Sequence, residues 1–274
     1  QPQQQEQEQQ QPGASTRRPP SFGGGGARQH GESAALQNAR AAKLLLKEAA
    51  ALSEMNHENI VRLWGVCIQP GHMCILMEYC SRGSVLKALH DDPEMALWTL
   101  FGLARGAATA MLALHAHAPR AILHRDLKTA NLLITKDWVC KVADFGLAKG
   151  VGTVSALTHA GCTPVYTAPE VLLDEEEFSL SADVYSFGVT LLEIASGEQP
   201  FAGVTPRQLI RRLDREERPD IPDGCHPFFV DLARACWAQD AAARPSFEIV
   251  LERFDGAAAE FTAMEAAAEA AEAD

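Results

Sequence analysis

The sequence predicts an α+β fold in which one helix and a few strands come first and a mainly helical part follows. Two short apolar runs, NIVRLWGVCI and HMCILMEYC, flank QPG, the pattern of an antiparallel strand pair joined by a turn. Ahead of them, an alanine-, leucine- and lysine-rich stretch from Ala34 to Met55 sets Leu44, Leu45, Glu48 and Leu52 at helical spacing. After Gly83 the chain reads as mainly helical.

Taken in order, residues 1–33 are a glutamine tract, RRPP and GGGG, a mixture with too little apolar area to offset ordering, so disorder is expected. Helices are expected at 94–117, 181–197, 205–214 and 226–238, with a strand pair around NLLIT and VCKVADFG. The first of these helices contains LWTLFGLARGAATAMLALHA. Arg105 breaks that run, and a spanning helix needs about 18 uninterrupted apolar residues, so it reads as a buried core helix and no membrane span is expected. The last segment, 257–274, is rich in alanine and glutamate with a weak apolar face. It reads as a solvated tail or a fraying helix rather than a partner-binding one.

At 274 residues the chain can bury a sizeable core, and 47% hydrophobic with 22% charged residues is an ordinary globular composition. A net charge of −12 argues against nucleic acid or an anionic membrane as partner. The seven cysteines are odd in number and form no C-x-x-C pair, which argues against a disulfide framework or a zinc site and for reduced thiols in a cytoplasmic protein. The polar start, QPQQQEQEQQQP, has no signal-peptide pattern, and a first residue of Gln rather than Met reads as a fragment or a processed product.

The chemistry concentrates at HRDLKTAN, residues 124–131. Moving a γ-phosphoryl group onto a hydroxyl needs a proton acceptor, a cation against the phosphate charge and oxygen ligands for a metal ion. Asp126 supplies the acceptor, Lys128 the cation and Asn131 an amide oxygen for Mg²⁺. DFG follows, with Asp144 as a second oxygen ligand, and then APE, Ala168 to Glu170. Each motif alone is weak, whereas the eight-residue run and the order of all three are specific. On these residues the chain resembles a eukaryotic protein kinase over about 43–256.

The resemblance implies a two-lobed fold: 34–80 a remnant of the small lobe, 81–256 the large lobe. DLKTAN with Lys128, and TPVYTAPE with Thr163 beside the base and the lysine, resemble the serine/threonine class. ENIVRLWGVC, SADVYSFGVTLLEIASGEQPF and RPSFEIVLERF resemble the tyrosine-kinase-like branch that includes Raf-like and mixed-lineage kinases. The resemblance implies Mg²⁺ and ATP, a protein substrate carrying Ser or Thr, and an upstream activating kinase. By motif position, Met77 closes the back of the adenine pocket. Glu78, Tyr79 and Cys80 form the hinge, Ser84 contacts the ribose and Leu133 floors the adenine. Phe145 follows the metal ligand in DFG, and Arg125 pairs with a phosphorylated activation-segment residue, for which Thr153, Ser155 and Thr158 are candidates. Asp183 is the buried carboxylate under the catalytic loop, and Glu170 pairs with Arg244. Cys162 departs from the glycine-threonine pair common before this threonine.

The opening stretch does not follow the pattern. Glu48 occupies the helix-glutamate position, yet residues 1–42 contain no lysine, and the GGGG run does not fit G-x-G-x-x-G in any register. Lys43 and Lys47 share the expected helix of Glu48 and cannot act from an opposing strand. Neither Arg28 nor Arg40 lies in a strand-like stretch. The small lobe is therefore expected to be incomplete or degenerate. Three readings follow: a kinase domain in an incomplete chain, a pseudokinase that binds without turnover, and an enzyme with a substitute cation.

Overall fold

The computed structural model describes residues 46, 49, 53, 55–69, 72–144, 149–150, 163–173 and 178–272, all within one compact unit, 41–274. The expected disordered segment 1–33, Lys43, Lys47, Glu48, Phe145, Thr153, Ser155, Thr158 and Cys162 lie outside the described residues. Leu46, Ala49 and Ser53 are helical, and Ala49 is buried.

Strand β1 (Leu63–Gln69) pairs antiparallel with β2 (His72–Met77), with a bulge between Leu63 and Gly65. Next come β3 (Gly83–Ser84), helix α1 (Val85–Asp91) and the long helix α2 (Leu97–His115). Short strands β4 (Ile122–Leu123), β5 (Leu132–Ile134), β6 (Cys140–Val142) and β7 (Lys149–Gly150) follow. They form a sheet of order β3-β5-β6 and a separate β4-β7 pair. The lead-in to β1 is tied to β6: Val61 N donates to Val142 O at 3.0 Å and Val142 N to Asn59 O at 2.8 Å.

The rest is helical: α3 (Pro169–Leu172), α4 (Leu180–Ser196), α5 (Pro206–Asp214), α6 (Pro227–Cys236) and α7 (Phe247–Glu272). Helix α4 is the axis of this part. Ser179 caps it by accepting from Ala182 N, Gly197 ends it in the left-handed conformation at φ 69°, and every residue from Ala182 to Ile194 is buried. Its buried Asp183, Ser186, Thr190 and Glu193 are all hydrogen-bonded within the fold, whereas the buried Tyr185 hydroxyl has no hydrogen-bond partner among the described residues. Gly188 lets α6 press directly against it, since a Cβ there would lie 2.8 Å from the Cys236 Cβ.

Helix α2 alone among the described helices has the length and composition to cross a membrane, and half of it is buried inside the fold. Leu103, Ala104, Ala107, Ala108, Met111 and Leu114 fill the core, which accounts for its apolar character without a bilayer.

Helix α7 corrects the expectation of a separate tail starting at 257. It runs unbroken through that position, and Phe261 is 1% exposed. The Phe261 ring stacks on Phe101 of α2 with centroids 4.0 Å apart, while Phe254 meets Phe101 edge-on at 5.1 Å and Phe228 of α6 closes the cluster. Phe261 thus docks the alanine-rich end of the helix, after Phe247, Val250 and Phe254 have buried its beginning. Phe261→Ala should cost about 3–5 kcal/mol of stability in chemical denaturation. A loss within about 0.5 kcal/mol, the size expected for a surface change, would return the segment to a solvated tail.

Candidate active site

The site is built outward from Asp183, which is fully buried in the first turn of α4. Its Oδ1 accepts the Arg125 amide at 2.9 Å, and its Oδ2 accepts the His124 amide at 2.9 Å and His115 Nε2 at 3.0 Å. Burial pushes this carboxyl up, but the hydrogen bond and charge of His115, with His124 and the Arg125 amide, outweigh it and hold the pKa below the usual carboxylate range. The two amide bonds pin a turn in which Arg125 takes the left-handed φ of 73°, strain that the surrounding contacts must hold. His124 carries the link onward. Its Nδ1 accepts the Asp126 amide at 3.3 Å, so its Nε2 is the donor to Ala143 O at 3.0 Å, joining the loop to the residue between β6 and Asp144.

That turn presents Asp126 to three groups. Thr163 donates to Asp126 Oδ1 from its amide at 3.1 Å and from its hydroxyl at 2.9 Å. Lys128 Nζ reaches Asp126 Oδ2 at 2.6 Å and the Thr163 hydroxyl at 2.7 Å. Asn131 Nδ2 donates to Asp126 O at 2.8 Å and to Oδ2 at 3.1 Å. Its nitrogen is committed to Asp126, which leaves the side-chain oxygen of Asn131 without a bond in this set. The Ala143 amide donates to the backbone carbonyl of Asn131 at 2.9 Å and so brings exposed Asp144, itself at φ 62°, alongside. The structure thus brings together Asp126, Lys128, Asn131, Thr163 and Asp144. Among the described residues there is no group of three or more His, Cys, Asp or Glu that could hold a metal ion. One amide oxygen and one carboxylate fit an ion that completes its shell with water and phosphate oxygens, as Mg²⁺ does.

Met77 and Leu133 pack on buried Val61, Cys80 and Ala143, an apolar patch that adjoins the catalytic loop through Ala143. Glu78 closes its edge. The Glu78 amide donates to Arg62 O at 2.8 Å, and its carboxylate meets buried Lys141 Nζ at 3.0 Å, which also donates to Glu58 O at 2.7 Å. Tyr79 is 86% exposed. Ser84, expected at the ribose, has its hydroxyl in use as the cap of α1, where it accepts Lys87 N at 3.2 Å.

A second carboxylate of α4 supports the segment that carries Thr163. Buried Glu193 accepts the Thr129 hydroxyl at 2.7 Å and the Tyr166 hydroxyl at 2.8 Å through one oxygen, Oε2. Burial raises the pKa of this carboxyl and that of Tyr166. Ser186 donates to Tyr166 O at 2.7 Å, and Thr190 to Leu127 O at 3.3 Å. Further out, Arg244 holds Glu170 with two parallel bonds, 2.7 Å from Nη1 and 2.9 Å from Nη2, and also donates to Ser181 O and Ala238 O. His115, Lys141, Tyr166 and Glu193 are absent from the sequence expectations. Glu193 had a signal, a lone charge inside the apolar run TLLEIA of a helix read as core.

A base held between a lysine and a threonine hydroxyl, beside two metal-competent oxygens and adjoining an apolar patch, defines a phosphoryl-transfer site. Residues 33–254 match the model of the protein tyrosine and serine/threonine kinase family, and the chain belongs to that family. It has the two-lobed kinase fold with a helical large lobe, and members of the family use ATP and Mg²⁺. The probable serine/threonine-protein kinase drkD of Dictyostelium discoideum is 41% identical over 229 residues, 82% of this chain and 17% of its own length. The serine/threonine-protein kinases STY46 and CTR1 of Arabidopsis thaliana are 34% and 35% identical, covering 80% and 81% of this chain and 38% and 28% of their own lengths. The chain therefore spans well under half the length of these curated relatives.

The side chain of Arg244 is fully buried, so removing its partner strands a charge. Glu170→Ala should lower stability by about 3–5 kcal/mol, read as a lower Tm in a thermal melt. An unshifted melt would remove the pair from the structural framework.

Proposed function

We propose that this chain is a serine/threonine kinase domain, transferring the γ-phosphoryl group of ATP to a hydroxyl of a protein substrate. The observation that carries this reading is Asp126, gripped by Lys128, Thr163 and Asn131 with its carboxylate at the mouth of the loop. When bound, Mg·ATP supplies the phosphoryl group and the counter-charge for its oxygens. The rest falls to side chains of this chain. Asp126 accepts the proton of the substrate hydroxyl, and Lys128 balances the negative charge that gathers there. The Thr163 amide and hydroxyl fix the orientation of the carboxylate, and Asn131 Oδ1 with Asp144 hold the metal. Met77, Leu133 and Ala143 offer an apolar surface for the adenine. The serine/threonine names of the relatives, and Lys128 two residues after the base, support that class over tyrosine.

Regulation follows the same reading. Phosphorylation of Ser155 or Thr158 by an upstream kinase would give Arg125 an anionic partner. Seven cysteines without a C-x-x-C pair support an intracellular location. A second reading, a binding module without turnover, draws on the absence of any lysine from residues 1–42 and of a G-x-G-x-x-G pattern. The intact set around Asp126 weighs against it.

Radiolabelled phosphate transfer from Mg·ATP to a generic Ser/Thr substrate tests the first reading. Transfer is expected, and Asp126→Asn should lower it about 10²–10⁴-fold. A wild type no faster than that variant would count against turnover by this chain and leave two readings, a binding module and a kinase domain in an incomplete chain. In calorimetry, Asp144→Asn should lose the Mg²⁺-dependent part of nucleotide affinity, and an unchanged affinity would take Asp144 out of the metal set.

A further inference from the structure

Apart from the phosphoryl-transfer site, the β1–β2 hairpin sets two thiols opposite one another. Cys67 on β1 and Cys74 on β2 are direct register partners, and both are free. Directly opposed residues of an antiparallel pair lie on the same face, with Cα atoms about 4.5 or 5.5 Å apart according to the kind of pair. Both separations fall in the range of about 4.4–6.8 Å that a disulfide spans. Cys74 is exposed and Cys67 half-buried, so a dissolved oxidant meets Cys74 first.

The other described cysteines do not compete. Cys80, Cys140 and Cys236 are buried, and burial pushes the Cys140 and Cys236 thiols up to about 12, far from the thiolate form that reacts. Cys225 lies in the helical part, just before α6.

We propose that Cys67 and Cys74 are a peroxide-sensitive thiol pair, a modification site that closes into a cross-strand disulfide. In the first step the Cys74 sulfur attacks hydrogen peroxide. The O–O bond breaks, a sulfenic acid forms and one water leaves. The Cys67 sulfur then attacks the sulfenic sulfur, an S–S bond forms, the S–O bond breaks and a second water leaves. The two thiols give up two electrons and two protons, and the peroxide is reduced to two waters. The product staples the hairpin whose second strand runs straight into Met77, Glu78 and Cys80, so oxidation stiffens the lead into the apolar patch. The proposal stands on strand register and does not depend on the phosphoryl-transfer reading.

The test treats the full chain with hydrogen peroxide, alkylates the remaining thiols and maps tryptic peptides without reduction. The expected result is a loss of two hydrogens in the peptide 63–82, with backbone cleavage between 67 and 74 silent until reductant is added. Cys67→Ser and Cys74→Ser should each abolish the loss, and Cys80→Ser should keep it. Oxidised wild type should melt higher than reduced, because a cross-link limits the unfolded chain, and the shift should vanish in Cys67→Ser. Alkylation of both Cys67 and Cys74 after peroxide, a bond mapping to Cys80 or Cys162, or a bond between chains would each overturn the proposal.

Discussion

A carboxylate with no exposure to water, at the first turn of a helix buried on every side, is the interaction on which the site depends. Asp183 could sit there as an anion only with its oxygens fully used, and two backbone amides and a histidine use them. The helix N-terminus adds its own partial positive charge. What the anchor secures is a backbone conformation. Arg125 would not hold a left-handed φ unaided, and without that turn Asp126 would not face Lys128 and Thr163. Because the folded-state pKa of Asp183 lies below its unfolded value, its contribution to stability is complete at neutral pH. It is lost as the pH falls from the ordinary carboxylate range through the folded value.

The same helix supplies the second support, and its sign is opposite. Glu193 is raised by burial, so the folded state favours its protonated form, and its contribution weakens as the pH rises through the folded value. What keeps it in place is geometric: one oxygen joins Thr129 of the catalytic loop to Tyr166 of the segment after Thr163. Asp183 therefore sets the entrance of the loop and Glu193 its exit, ten residues along one rigid element. Arg244, bonded to Glu170 and to Ser181 O, ties the far end of the Thr163 segment to the start of that element. The base and its lysine come from one loop and the threonine from another, but all share one foundation, which is how their mutual distances can be held near 2.6–2.9 Å.

The parts legible in the sequence are those whose information is local. HRDLKTAN packs base, cation and amide into eight residues, and the helices expected at 181–197 and 205–214 are found at 180–196 and 206–214. What long-range contact decides was not legible. Lys141 looks like a solvent-facing strand residue until folding brings Glu78 and the Glu58 carbonyl to it, and His115 reads as the polar end of a helix until Asp183 arrives. Phe261 is lost in an alanine background whose periodicity is too weak to show a face. Ser84, assigned by motif position to a ligand, also serves the backbone beside it, which its motif position does not announce.

The most direct test of this account is native-state hydrogen exchange at the amides of His124 and Arg125, in the wild type and in Asp183→Asn. In the wild type both amides should exchange only with global opening, as core amides do. Asparagine keeps a single acceptor oxygen for two amides and a histidine, so the variant should lose protection at 124 and 125 while amides 184–194 of helix α4 stay protected. Unchanged protection at both amides in the variant would contradict the claim that Asp183 holds the catalytic loop.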